Sequence, residues 1–106
     1  MNEKPNLIYI NELAGDSDDF KNRLIHIIKK EFPEEKDEFL KNYNDYKWKL
    51  AAENVHKLKH KIGMMGFEEG YQITMDFEEE LTQGNNTLYS KFILILESIE
   101  NFLKQI

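Results

Sequence analysis

WKLAAENVHKLKHKIGMMG, residues 48–66, decides how this chain folds. Trp48, Ala51, Val55, Leu58, Ile62 and Met65 recur at steps of three and four, which puts all six on one face of an α-helix. The positions between them hold Lys49, Lys57, Lys59 and Lys61 with His56 and His60. Gly63 and Gly66 sit near the end, and a glycine inside a helix costs about 1 kcal/mol relative to alanine. The pattern predicts a helix over 45–65 with one buried stripe. At roughly 100° per residue, His56 lies about 130° from the core direction and faces solvent. Lys59 lies on the same flank, nearer the core edge, and His60 points almost directly away from the core.

The same spacing extends in both directions. Asp16-Ser17-Asp18-Asp19 supplies N-cap chemistry and negative charge for a first turn. Phe20, Leu24, Ile27, Ile28 and Phe32 follow as a helical stripe, and Phe39, Leu40 and Tyr43 carry it to about Tyr43. Pro33 either starts a new helix or kinks this one. Asn42 and Asn44 mark a break. Beyond the quoted stretch, a helix over 68–82 presents Tyr71, Ile73, Met75, Phe77 and Leu81. Gln83-Gly84-Asn85-Asn86 is a turn. A last helix over 87–104 carries Leu88, Phe92, Ile95, Ile99 and Phe102, with Leu96 and Leu103 widening its apolar face. LIYINEL, residues 7–13, reads as a small helix packed on one end. No segment alternates with period two, and no repeat or linker divides the chain. The expectation is one all-α domain over 1–106: an up-down four-helix bundle with a short additional N-terminal helix.

Composition narrows the function classes. The 106 residues are 41% apolar and 32% charged, enough apolar content for a folded core. The absence of cysteine excludes disulfides, thiol catalysis and cysteine-based zinc sites. No apolar run approaches the ~20 residues of a membrane span, and MNEKPNLIYI lacks a signal-peptide pattern. The expectation is a cytoplasmic protein with no membrane association. A net charge of −6 disfavours nucleic acid as a partner. The charge is uneven: Lys47, Lys49, Lys57, Lys59 and Lys61 crowd one segment, and Glu78, Glu79 and Glu80 another. A basic island on an acidic protein points to a local acidic partner.

A solvent-facing imidazole is partly uncharged near neutral pH and offers a nucleophilic nitrogen. Lysines beside it would attract a phosphoryl group and offset its charge, and Lys59, one turn on from His56, is best placed. A carboxylate accepting from Nδ1 would fix the tautomer and leave Nε2 free. There is no glycine-rich phosphate loop, no Ser-His-Asp pattern and no nucleotide-binding motif. Such a chain can hold a phosphoryl group but not take one from ATP. Gly63 and Gly66 serve tight packing of the next helix or open access to the imidazole, and Gly66 has a C-cap role as a third use. Glu53-x-x-His56 has the spacing of carboxylate-bridged di-iron bundles, and His56 and His60 are four apart. A second Glu-x-x-His is missing and both histidines point outward, so the expectation is no bound metal.

VHKLKHKIGMMGF, residues 55–67, resembles the signature of histidine-containing phosphotransfer domains. That signature is roughly A-H-x-L-K-G with a glycine ten residues after the histidine; His56, Leu58, Lys59 and Gly66 match it in register. NELAGDSDDF, residues 11–20, is similar to the family's approach to its first long helix, so the likeness covers nearly the whole chain. Two positions depart. Val55 replaces the usual small residue, and His60 stands where a glycine usually gives the partner close access.

The resemblance implies that His56 takes a phosphoryl group on Nε2 from a receiver-domain aspartate and passes it to another, in a multistep two-component phosphorelay. The chain is then a carrier and not itself an enzyme. It binds no cofactor, and Mg²⁺ belongs to the receiver. Lys59 would stabilise the phosphoryl group, and Glu78, at the family's polar position on the facing helix, would orient Nδ1. Tyr9, Leu13, Lys57, His60, Gly63 and Gly66 would meet the partner, a receiver domain of a response regulator or hybrid histidine kinase. The chain is expected to act as a monomer. Plainer readings stand beside these. Lys57, Lys61 and His60 read as solvated side chains, Met64 and Met65 as packing, and His26 as partly exposed without a role. A non-catalytic helical adaptor that binds signalling proteins is the rival function.

Overall fold

The computed structural model describes residues 3–106, which form five helices and no strand. They are α1 (Ile8–Ala14), α2 (Asp18–Asn44), α3 (Trp48–Met64), α4 (Glu68–Thr82) and α5 (Tyr89–Gln105). No helix among the described residues is long and apolar enough to cross a membrane. α3 lies between α2 and α4, and α5 packs against α4 and α2, while α1 lies on α2.

Local chemistry explains the boundaries. Ser17 caps α2 by accepting from the Phe20 N–H at 3.2 Å, and Asp18 and Asp19 favour the positive end of the helix dipole. α2 runs unbroken through Pro33, which lies on its exposed side. The break at Asn44 leads through Tyr46, which takes a positive φ of 60°. α3 begins at Trp48, three residues later than the periodicity suggested, because that turn occupies 45–47. α4 has no capping side chain of its own. Glu3 supplies one from the far end of the sequence, accepting from the N–H groups of Glu69 at 2.7 Å and Gly70 at 3.1 Å. Glu80 closes the α4–α5 turn by accepting from the Leu88 N–H and the Thr87 hydroxyl.

The core joins Ile28, Phe32 and Phe39 of α2 to Ala51, Val55, Leu58 and Ile62 of α3, Phe77 and Leu81 of α4, and Phe92, Ile95, Leu96 and Ile99 of α5. Its far end is an aromatic cluster in which Phe39 touches Tyr43, Phe77, Tyr89 and Phe92. Tyr43 and Tyr89 stack with centroids 4.1 Å apart. Asn54 is buried, and its side-chain oxygen accepts from the Asn42 amide at 2.7 Å, joining α3 to the last turn of α2.

Three expectations need correction. Phe20 and Ile27 are 40% and 47% exposed instead of sharing the α2 stripe. Lys61, in the last turn of α3, pairs with Glu31 and Glu35, so the first turns of α2 project beyond the end of α3. In α4 the buried face is Gly70, Thr74, Phe77 and Leu81, with Met75 exposed and Ile73 partly so. Thr74 is tolerated inside because its hydroxyl donates to the Gly70 carbonyl at 2.7 Å. Lys61 is an ion-paired, largely covered side chain and not a solvated one: its ammonium lies 2.9 Å from Glu35.

Candidate functional site on α3 and α4

Three residues, Met65 to Phe67, connect α3 to α4. Gly66 makes the turn at a φ of 67°, a conformation that costs little only without a Cβ. The Asn6 N–H donates to the Met65 carbonyl at 2.8 Å, and the Asn6 side chain lies directly against Gly66. Gly63 packs against the Tyr71 ring, and a Cβ there would come within 3.0 Å of it. Both glycines therefore have structural uses: one lets α4 approach closely, the other turns the chain and seats the segment before α1.

This hairpin brings His56 and Glu78 together, ten residues before Gly66 and twelve after it. Nδ1 of His56 lies 3.1 Å from Oε2 and 3.3 Å from Oε1 of Glu78. The Lys59 ammonium lies 3.2 Å from Oε1 of Glu78 and 3.3 Å from Nδ1. An ionised carboxylate only accepts, so it is satisfied by donation from both Nδ1–H and the ammonium. With that proton on Nδ1, the lone pair of the ring sits on Nε2. Donation from Lys59 to Nδ1 would require the other tautomer, in which Nε2 carries the proton. Glu78 therefore selects the nucleophilic form.

The side chains differ sharply in exposure. His56 is 52% exposed, Glu78 25% and Lys59 13%. Nε2 of His56 has no hydrogen-bond partner among the described residues. A shallow cleft of about 490 Å³ opens beside the ring, with Lys49, Glu53, Lys57 and Thr82 around it. His60 is exposed one turn further, its ring perpendicular to that of His56 at a centroid distance of 4.9 Å. Lys57 is exposed as well. Tyr9 and Leu13 are 47% and 51% exposed on α1.

The geometry puts Lys59 on the Nδ1 side of the ring, in contact with Glu78, where it holds the carboxylate. The sequence placed Lys49 in the basic island without assigning it to the site, and it did not single out Ile8. Lys49 lines the cleft because it precedes His56 by seven residues, two helical turns on one face. Ile8, at 63%, is the most exposed of the apolar side chains on α1; nothing in a seven-residue helix marks which side will be covered. Among the described residues, no group of three or more His, Asp or Glu side chains could hold a metal ion. Neither protein-family models, nor curated proteins, nor solved structures match the chain.

Proposed function

We propose that this chain is a histidine-containing phosphotransfer protein that relays a phosphoryl group between receiver-domain aspartates through phosphohistidine at His56. The observation that carries the reading is an exposed imidazole whose Nδ1 is held by Glu78, leaving Nε2 unpartnered. In the forward step the Nε2 lone pair forms the N–P bond as the P–O bond of the receiver's aspartyl phosphate breaks, and the aspartate leaves as a carboxylate. The proton on Nδ1 stays shared with Glu78, whose charge offsets the positive character the ring acquires. Onward transfer is the reverse step on a second receiver.

The partner supplies Mg²⁺ and the acidic pocket, so the chain needs positioning and charge alone. Lys59 acts through Glu78, and its charge remains within reach of a phosphoryl group on the same ring. Lys57, His60 and the exposed Tyr9 and Leu13 lie on the surface that meets the receiver, and the close helix approach at Gly63 and the turn at Gly66 hold that surface in place. The basic island complements an acidic receiver pocket. Contacts of Asn42 with Asn54, His56 with Glu78, Phe77 with Phe92 and Tyr43 with Tyr89 support antiparallel neighbours in an up-down four-helix bundle with α1 added. A relay of this kind works in the cytoplasm as a monomer.

The test is chemical. Incubation with a phosphorylated receiver should yield acid-labile, alkali-stable label on the native chain and none on His56→Gln. Label persisting in that variant would move the acceptor elsewhere. No label with a broad set of receivers would favour the non-catalytic adaptor.

A further inference from the structure

His60 has no part in the transfer step, yet it stands one turn from His56 on the same exposed face. The two rings are 4.9 Å apart at their centroids with planes at 90°. Nδ1 of His56 is the only ring nitrogen of the pair with a hydrogen-bond partner among the described residues. Its partner is a carboxylate, the arrangement that orients histidines toward metals: the far nitrogen is left unprotonated. Two histidines four apart on a helix converge on one point above its surface.

The lysines nearby do not forbid a cation. Lys59 is neutralised by Glu78, and Lys61 by Glu35 and Glu31. Lys49 and Lys57 are left without an ion-pair partner among the described residues, and Glu53, one turn before His56 on the exposed side, offsets one of them. The missing second Glu-x-x-His bears only on a buried two-metal centre. A surface chelate requires two convergent imidazoles and solvent.

We propose that His56 and His60 form a two-histidine site for a divalent cation of the zinc class, bound through Nε2 of His56 and a ring nitrogen of His60. Water fills the remaining positions, because no third protein ligand is at hand. Such an ion is exchangeable and not structural. Its binding needs only the two imidazoles. Its consequence rests on the phosphotransfer reading: the metal occupies the lone pair that must attack phosphorus, so metal and phosphoryl group exclude one another at Nε2.

Zinc ion alone, titrated into the full chain by calorimetry, should bind one to one. His60→Gln and His56→Gln should each weaken that binding by at least about tenfold, a change of about 1.4 kcal/mol, with unchanged helical circular dichroism. Equal affinity in the native chain and both variants would overturn the site. Competition is read with phosphoramidate as a small phosphoryl donor, without any receiver. Zinc should slow labelling of native His56, reversibly with a chelator, and should slow His60→Gln much less relative to its own zinc-free rate. Equal slowing in both would overturn the competition. Absence of labelling without zinc would count against the phosphotransfer reading alone, and calorimetry would then still decide the chelate.

Discussion

Phe20 and Phe39 are the same residue on the same helix, and they end in opposite environments. Phe39 is fully buried among Tyr43, Phe77, Tyr89 and Phe92; Phe20 is 40% exposed. The difference lies in what reaches them. α2 has 27 residues and α3 has 17, so at about 1.5 Å per residue α2 is the longer by roughly 15 Å. The surplus is at its N-terminal end, where α1 is the neighbour, and Ile8, Tyr9, Leu13, Phe20 and Ile27 all keep large exposed surfaces. One end of the molecule is therefore a packed aromatic plug, with Tyr46 and Leu50 exposed outside it, and the other a bare apolar rim. A helical stripe marks which face can be buried; the lengths of neighbouring helices decide how much of it is.

Substitutions can break this contrast or sharpen it. Phe39→Ala should cost about 3–5 kcal/mol in denaturant unfolding, since it opens a cavity inside the cluster. A loss below that of an exposed substitution would mean the plug is not close-packed. Gly66→Ala comes next, at roughly 1–2 kcal/mol for a left-handed residue with a Cβ. The added carbon would also come within 2.5 Å of Asn6 Oδ1. Because Asn6 also accepts from the Ile8 N–H, faster amide exchange in α1 should accompany the loss; a variant as stable as the native chain would remove Gly66 from the turn's energetics.

A subtler probe of the plug is its response to alkali. Burial, and secondarily the neighbouring Tyr43, holds the Tyr89 phenol above the usual phenol range. The unfolded chain releases that proton at the ordinary phenol value and the folded chain only later. Its contribution is thus complete below the ordinary phenol range and is lost as pH rises through the folded value. Thermal melting of Tyr89→Phe should fall less steeply than that of the native chain in alkali, and parallel slopes would uncouple this phenol from folding. The smallest effect is expected at the rim. Phe20→Ala should change stability by less than about 0.5 kcal/mol. A loss approaching that of Phe39→Ala would erase the distinction between the two ends.

Much of the site was legible because it depends on local spacing. One helical turn places Lys59 and His60 beside His56, and the wheel turns the imidazole outward. The pairing of Glu78 with Nδ1 required two helices and the turn between them, so spacing alone offered three adjacent glutamates, and the choice of Glu78 came from the family resemblance. In the structure Glu78 faces His56 while Glu80 caps α5. Lys59 shows the same limit: its charge was legible, but not that Glu78 would draw it to the Nδ1 side. The buried face of α4 was misjudged for a chemical reason. Gly70 and Thr74 are not apolar in a sequence, yet one admits the Phe67 ring and the other satisfies its hydroxyl within its own helix.

By itself, the sequence determined the all-helical class, the four longer helices to within a few residues, the outward direction of His56 and the identity of its near neighbours. All of these follow from a 3.6-residue period and local capping. Only the tertiary structure decided at what distance Glu78 meets the imidazole, where Lys59 and Lys61 send their charges, that Glu3 caps a helix 66 positions away, and which end of α2 stays bare. Those outcomes depend on contacts between segments remote in the chain, and a one-dimensional pattern carries no distance between them.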